Sequence, residues 1–308
     1  MCPIADTAPT MTTPTTDAPN APVLVATDGL HDSDGCVRVG IALARRDGTR
    51  AELFSVVEPM VQFDEVMAAS DIDVLNTLTR ESRDAALLAQ RDRTHPGIHD
   101  WPFTIETGER VERIVAAAEA SGASVIILGL GAHGLTARLL QRETAVRVMR
   151  AARIPVLAVP NDAWGVPHGA LAAIDFTASS ERAARAALGL LGAEGRLYLA
   201  HVTPRIPMPL ADSQQWDDLT GPSVLSRLSV VAKRLAPPPG VEIELVSLHG
   251  EPAHELLAFA DQHHIDLVAA GAHGKSAFER FLMGSVSTRL VRTARCWVLV
   301  APADGSAT

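Results

Sequence analysis

The chain has 308 residues, a length typical of two domains, and its 47% hydrophobic and 20% charged residues indicate a globular protein rather than a disordered one. With only seven Phe, four Trp and one Tyr, the core must consist of Val, Leu, Ile and Ala, which favours an α/β fold over an aromatic-rich β-sandwich. A net charge of −9 at pH 7 argues against a dedicated nucleic-acid-binding protein, because such proteins neutralise phosphates with basic residues.

The terminal segments and the cysteines bear on location. Residues 1–20 are rich in Pro and Thr and lack the basic and apolar regions of a signal peptide, so they predict a disordered tail, and 303–308 predict a second, short tail. No apolar run approaches the roughly 20 residues that cross a bilayer, so no membrane partner is expected. Cys2, Cys36 and Cys296 form no CxxC pair and no disulfide framework, which favours a reducing, cytoplasmic location.

The sequence repeats itself at long range. The tetrapeptide GAHG at 131–134 recurs at 271–274, and VEP at 57–59 is matched by VTP at 202–204. A period this long indicates two tandem domains rather than a solenoid of short units. The predicted domains cover residues 21–160 and 169–302, joined by a Pro- and Gly-containing linker at 161–168.

Each predicted domain begins with a short apolar strand that ends in an acid, and strands then alternate with amphipathic helices. This alternation predicts two tandem, doubly wound, five-stranded and mainly parallel sheets with helices on both faces. In the first domain, strands are predicted at 23–26, 51–57, 103–106, 124–128 and 155–159, with helices that include 33–46 and 111–120. In the second, strands are predicted at 171–174, 196–202, 242–247, 267–270 and 297–300, with helices that include 179–191, 254–262 and 286–293.

Two familiar motifs are imitated at the loop after the fourth strand. Gly129, Gly131 and Gly134 match the spacing of a dinucleotide fingerprint, but that motif belongs after the first strand and needs an acid about 20 residues later. Lys275 follows a glycine as in a P-loop, yet Ala269 replaces the first glycine of that motif. The pattern therefore argues against a Rossmann dehydrogenase and leaves a P-loop NTPase as a disfavoured alternative.

The same loop in the second domain has the features of a phosphate site. Gly271-x-x-Gly274 is followed by nine residues and then by Gly284-Ser285. Glycines allow a close approach of the backbone to a ligand and a positive φ, and the helix that follows Gly284 offers free N–H groups to phosphate. Ser285 and Ser287 add hydroxyl donors. The loop follows a strand end, where open parallel sheets bind ligands.

This G-x2-G-x9-G-[ST] pattern, with an Asp ending the first strand, resembles the ATP-binding branch of the universal stress protein family. The resemblance covers residues 21–160 and 169–302 and implies a HUP- or Rossmann-like fold and a stress-response regulator that binds ATP, with or without Mg²⁺. In the family, the first-strand Asp and its neighbours contact the nucleoside, the second strand end contacts adenine, and the glycine loops hold ribose and phosphates. Carried onto the second domain, the nucleotide-binding residues are Ala173, Ile174, Asp175, Val202, Gly271, His273, Gly274, Gly284, Ser285, Val286 and Ser287.

The first domain departs from the family pattern. Thr144 and Ala145 stand where the alignment of the two loops puts Gly-Ser, so this domain is expected to bind nucleotide weakly or not at all. The family pairs its domains through the last strand, and the resemblance therefore implies an intrachain pseudo-dimer; a homodimer of chains is left open. The family residues retained in this weaker or lost site are Asp28, Val57, Gly131 and Gly134.

Plainer interpretations stay open beside these. The glycines of the second domain could be helix caps and turns, and Asp175 could cap the helix that follows it. His133 and His273 have no acid or Cys at ligand spacing, so no catalytic group and no metal site is expected. The alternatives to a nucleotide-dependent regulator are a slow ATPase and a structural dimerisation scaffold with vestigial pockets.

Overall fold

The computed structural model describes residues 21–59, 69–96, 102–131, 135–204, 213–272 and 283–302, which form an alternating series of strands and helices. We call residues 21–160 the first half and residues 169–302 the second half. The strands are β1 (Val23–Ala26), β2 (Ala51–Val57), β3 (Phe103–Thr107), β4 (Val125–Gly129), β5 (Val156–Val159), β6 (Gly169–Ala173), β7 (Arg196–Thr203), β8 (Glu242–His249), β9 (Leu267–Gly271) and β10 (Trp297–Ala301). The helices are α1 (Asp34–Arg46), α2 (Ala69–Thr94), α3 (Arg110–Ser121), α4 (Leu135–Ala151), α5 (Ala178–Leu190), α6 (Ser213–Leu235), α7 (Pro252–Gln262) and α8 (Ser285–Thr293).

The strands form one continuous sheet in the order β3-β2-β1-β4-β5-β10-β9-β6-β7-β8. Every neighbouring pair is parallel except β5 and β10, which pair antiparallel with Leu157 opposite Leu299. The α/β prediction is confirmed, and the two five-stranded sheets join edge to edge into a single ten-stranded sheet. A pseudo-twofold axis that relates the halves passes through the Leu157 and Leu299 pair. These two residues, 142 positions apart in the chain, are therefore equivalent in the two halves.

Main-chain hydrogen bonds fix which residues of the two halves are equivalent. Leu130 N–H donates to Val159 O at 2.8 Å, and Ala272 N–H donates to Ala301 O at the same distance. The residue after β4 therefore corresponds to the residue after β9, and Gly129 is the counterpart of Gly271. The match between the two GAHG segments is displaced by two residues from this register, because it takes Gly131 as the counterpart.

A similar displacement affects the second strands. Ala26 pairs with Phe54 in the first half, and Ala173 pairs with Ala200 in the second, so Phe54 and Ala200 are equivalent. The counterpart of Val202 is then Val56, one residue before the Val57 predicted from the VEP and VTP match. Successive strand residues point to opposite faces, and Val57 packs on the other face, in a cluster with Leu87 and Ile105.

Buried aliphatic side chains fill both sides of the sheet. One core lies under α1, α5 and α6, and the other under α3, α4, α7 and α8; both run across the β5–β10 junction. Cys36 and Cys296 are unpaired thiols, and burial raises the pKa of Cys296 to about 11. Among the helices of the described ranges, none combines the length and the apolar character that crossing a membrane requires.

Arginine side chains tie the halves together on both faces. Arg46 at the end of α1 donates to Leu190 O at 2.6 Å and Leu191 O at 2.9 Å, the last carbonyls of α5. Arg142 of α4 donates to Val291 O at 2.8 Å and Ala294 O at 3.0 Å, at the end of α8. Carbonyls at helix C-termini lack helical partners and carry partial negative charge, so both guanidinium groups cap a helix of the other half.

Candidate functional site

A cavity of about 200 Å³ opens in the second half at the carboxyl ends of β6, β7 and β9. Nine of the eleven residues predicted for this half line it: Ala173, Ile174, Asp175, Val202, Gly271, Gly284, Ser285, Val286 and Ser287. His273 and Gly274 lie outside the described residues. The cavity sits between β6 and β9, where the strand order reverses direction, which is the usual ligand position in open parallel sheets.

The N-terminus of α8 forms one wall of the cavity. Gly284 is the N-cap residue; its N–H donates to Ala272 O at 2.7 Å, and its carbonyl accepts from Thr288 N–H at 3.0 Å. The amides of the first helical turn have no acceptor within the helix. Ser285, Val286 and Ser287, whose amides belong to that turn, line the cavity, so this wall offers hydrogen-bond donors and the positive end of a helix dipole.

The position of α8 is fixed by close contacts rather than by unusual backbone angles. The Ser287 hydroxyl, which is buried, donates to Gly271 O at 2.6 Å. A Cβ at Gly271 would lie 2.5 Å from Ser179 Oγ and 2.8 Å from the Ser179 carbonyl carbon, so only glycine fits between β9 and α5. The positive φ predicted for Gly271 is wrong, because its backbone lies outside the left-handed region; Gly284, predicted to open the last helix, has an ordinary φ of −57°.

Asp175 lines the cavity and organises the start of α5. Its Oδ1 accepts from Thr177 N–H at 3.0 Å and from Thr177 Oγ1 at 2.6 Å. Thr177, not Asp175, is the N-cap residue, and its Oγ1 accepts from Ser180 N–H at 3.3 Å. Asp175 therefore holds the capping residue in place.

The cavity also has lining residues that the sequence analysis missed. His201 follows β7 residue Ala200, and its Nδ1 lies 2.6 Å from Ile174 O. Pro252 and Leu256 lie one turn apart on α7 and therefore share one face of that helix. This spacing is the sequence signal for both residues, but it becomes informative only when α7 is known to lie beside the cavity. The other missed residues are Ser180, Ala200 and Ala270.

Helix α7 is coupled to α8 through its own N-cap. Glu251 accepts from His254 N–H at 2.9 Å and lies 3.4 Å from a guanidinium nitrogen of Arg289. The first half has the same arrangement, in which Glu109 caps α3 and lies 2.6 Å from Arg147. These matched pairs lie 142 positions apart along the chain, which independently supports the register derived from the sheet.

A second cavity, of about 130 Å³, lies at the corresponding edge of the first half. Asp28 lines it, whereas Val57 and Gly131 do not; their places are taken by Val56 and Gly129. Gly134 lies outside the described residues. The difference from the prediction follows from the strand register. The repeated tripeptide is shifted by one residue, and the repeated tetrapeptide by two, relative to the equivalent strand positions of the two halves.

Helix α4 does not present its N-terminus to this first cavity. It begins at Leu135 and runs unbroken to Ala151, so the amides near the cavity lie inside the helix and are used by helical hydrogen bonds. Arg142 and Glu143, not Thr144 and Ala145, occupy the positions of Gly284 and Ser285. Thr144 and Ala145 line the cavity at the places of Val286 and Ser287.

The fold and the two cavities define a tandem α/β protein with a ligand-type crevice at the strand ends of each half. The universal stress protein family model matches residues 20–160 and again 170–302. The chain therefore belongs to the universal stress protein family, which confirms the family and the tandem organisation predicted from the sequence.

Individual relatives match the chain over part or nearly all of its length. A universal stress protein of Mycolicibacterium smegmatis is 27% identical over 291 residues, covering 90% of this chain and 96% of the relative. One from Methanocaldococcus jannaschii is 34% identical over 110 residues, which are 34% of this chain and 61% of that protein. The crystal structure of a universal stress protein from Archaeoglobus fulgidus superimposes with a TM-score of 0.62 at 17% identity, covering 93% of this chain and 98% of that chain.

Proposed function

We propose that the second-half cavity binds an adenine nucleotide, ATP in the first place, and that binding regulates this protein in a stress response. The observation that carries the proposal is the open N-terminus of α8, whose first-turn residues Ser285, Val286 and Ser287 line one cavity. Such a wall stabilises phosphate oxygens without any positively charged side chain.

The rest of the cavity suits a nucleoside. Ala173, Ala200, Val202 and Ala270 give an apolar floor on which a base can lie, and the Asp175 carboxylate stands at the rim as an acceptor for ribose hydroxyls. Asp175 Oδ1 is already bonded to Thr177, so its second carboxylate oxygen is the one proposed to face a ligand. No Lys or Arg is among the described residues that line the cavity, so no side-chain cation stabilises a transferring phosphoryl group there, which favours binding and slow turnover over rapid hydrolysis. We also propose a cytoplasmic location, since Cys36 and Cys296 are both free thiols.

Calorimetry on the full chain tests this proposal with ATP, ADP, AMP and cyclic AMP, with and without Mg²⁺. Gly284→Glu is the diagnostic variant: the φ of −57° at Gly284 is open to every residue, so the change adds a carboxylate at the donor wall without backbone strain. Gly189→Glu is the matched control, because a Cβ at Gly189 meets no atom within 4 Å.

We expect one nucleotide per chain, an affinity loss of at least about tenfold in Gly284→Glu, and wild-type affinity in Gly189→Glu. Two equivalent tight sites per chain would contradict the assignment to the second half. The absence of any heat with ATP and Mg²⁺, together with no nucleotide retained by the purified protein, would leave the scaffold alternative as the better account.

A further inference from the structure

The first-half cavity differs from its counterpart in charge as well as in shape. Arg83 and Arg110 both line it. The counterpart of Arg110 is Pro252, since both are the first residues of their helices. Arg93 of α2 pairs with Asp34 of α1, and Arg234 of α6 pairs with Glu181 of α5 in the same way, so Arg93 and Arg234 are equivalent. Ten residues earlier on each long helix, the counterpart of Arg83 is therefore Val224. Two apolar positions of the second half are thus arginines in the first.

The cavity is also smaller than its counterpart in the second half. Phe54 is buried where the second half has Ala200, and the volume falls from about 200 to about 130 Å³. Because α4 presents no open N-terminus here, the strongest donors of the lining are side chains: the two guanidinium groups and the amide of Gln141, beside the hydroxyls of Thr27, Ser33 and Thr144. Gln141 Oε1 is buried without a hydrogen-bond partner in the described part of the chain, and the amide can present either its oxygen or its nitrogen to a ligand.

The charges around the two arginines are only partly balanced. Among the described residues, the Arg83 guanidinium donates to the main-chain Asp28 O at 2.5 Å, which leaves other donors of the group for a ligand in that part of the chain. Arg110 lies 3.2 Å from Glu58, but both side chains are about half exposed, so this pair is weak. Burial lowers the pKa of Arg83, the Asp28 carboxylate raises it, and the positive charge of Arg110 lowers it further. A dianion between the arginines would relieve that repulsion.

We propose that the first-half cavity is a second ligand site, which binds the phosphoryl group of a molecule smaller than a nucleotide through Arg83 and Arg110. Guanidinium groups bind phosphate oxygens in a bidentate manner and stay charged at all physiological pH values. The ligand is either inorganic phosphate or a small phosphomonoester, and the two halves of the chain then bind different ligands by different means.

The test is a titration of the full chain with inorganic phosphate, glycerol 3-phosphate and AMP, followed by calorimetry and phosphorus NMR. Arg83→Gln keeps much of the aliphatic stem and removes the charge. Arg110→Gln, at a half-exposed position, is a second variant that should fold even if the first does not. Arg80→Gln, on the same helix but exposed and outside the lining, is the matched control. Thermal unfolding of each variant verifies folding.

We expect saturable binding of phosphate or glycerol 3-phosphate, weakened about tenfold or more in Arg83→Gln and in Arg110→Gln and unchanged in Arg80→Gln. The tighter of the two probes identifies the source of the phosphoryl group. No binding of either probe, or binding insensitive to both lining variants, overturns the proposal, and so does AMP binding that depends on Arg83. All titrations are repeated in Gly284→Glu, so a failure of nucleotide binding in the second half is distinguished from a failure here.

Discussion

The contact between Gly271 and Ser179 leads to a quantitative prediction. An alanine Cβ at position 271 would stand 2.8 Å from the Ser179 carbonyl carbon, and an ordinary contact of 3.4 Å requires a separation of β9 and α5 by about 0.6 Å. Such overpacking costs about 1–3 kcal/mol in the free energy of unfolding. Because Asp175 and Ser180 line the cavity beside Ser179, the same shift should weaken nucleotide binding.

The first half supplies the control for this prediction. At Gly129, the counterpart of Gly271, a Cβ would lie 3.4 Å from Ser33 Cα, an ordinary contact. Gly129→Ala should therefore change the free energy of unfolding by less than about 1 kcal/mol. Urea unfolding of both variants measures the difference. If Gly271→Ala is no less stable than Gly129→Ala, the steric account of this glycine is refuted.

Three further predictions concern the contacts that hold the site and the halves. Ser287→Ala removes the buried hydrogen bond to Gly271 O and should cost about 1 kcal/mol and reduce nucleotide affinity, as measured by urea unfolding and calorimetry. Arg142→Gln uncaps α8 and should cost about 1–2 kcal/mol, whereas Arg150→Gln, exposed on the same helix, should cost almost nothing. Burial raises the pKa of Asp34, but hydrogen bonds from Arg93 and Gln90 outweigh this effect and lower the pKa overall. Asp34→Asn should therefore be less stable than the wild type at pH 7. The difference in the free energy of unfolding should shrink as the pH falls below the ordinary carboxyl pKa of about 3.9.

The strands and the second-half site were predictable because they rest on strong local signals. Purely apolar runs such as 125–128 and 267–270 predict buried parallel strands in an α/β protein. A glycine such as Gly284, placed between a buried strand and a helix, indicates the start of that helix. The spacing from Gly271 to Gly284 pointed to the family resemblance, the resemblance implied the other residues of the site, and the structure brings the described ones together.

The residues of the first half that are equivalent to the second-half site could not be predicted from the repeated sequence motifs. A loop tetrapeptide can move along the chain by two residues without any cost in strand pairing, so the GAHG match carried no information on which glycine follows the strand. A hydrogen-bond ladder allows no such freedom: a slip of one residue turns Val57 to the opposite face and puts Val56 in the cavity. The last helix of the first half was predicted, but its early start at Leu135 was not; Arg142 and Glu143 are good helix formers, whereas the equivalent Gly284 is the N-cap of α8.

The junction of β5 and β10 within one chain affects how the two sites can evolve. In an assembly of two identical chains, every substitution enters both subunits, so one site cannot change while its twin stays the same. Here the two unlike halves share one chain, which fixes their ratio at one to one and holds them at an effective concentration of about millimolar or above. Each crevice can therefore accumulate its own substitutions, as Phe54 and Arg83 illustrate, while the common sheet stays intact.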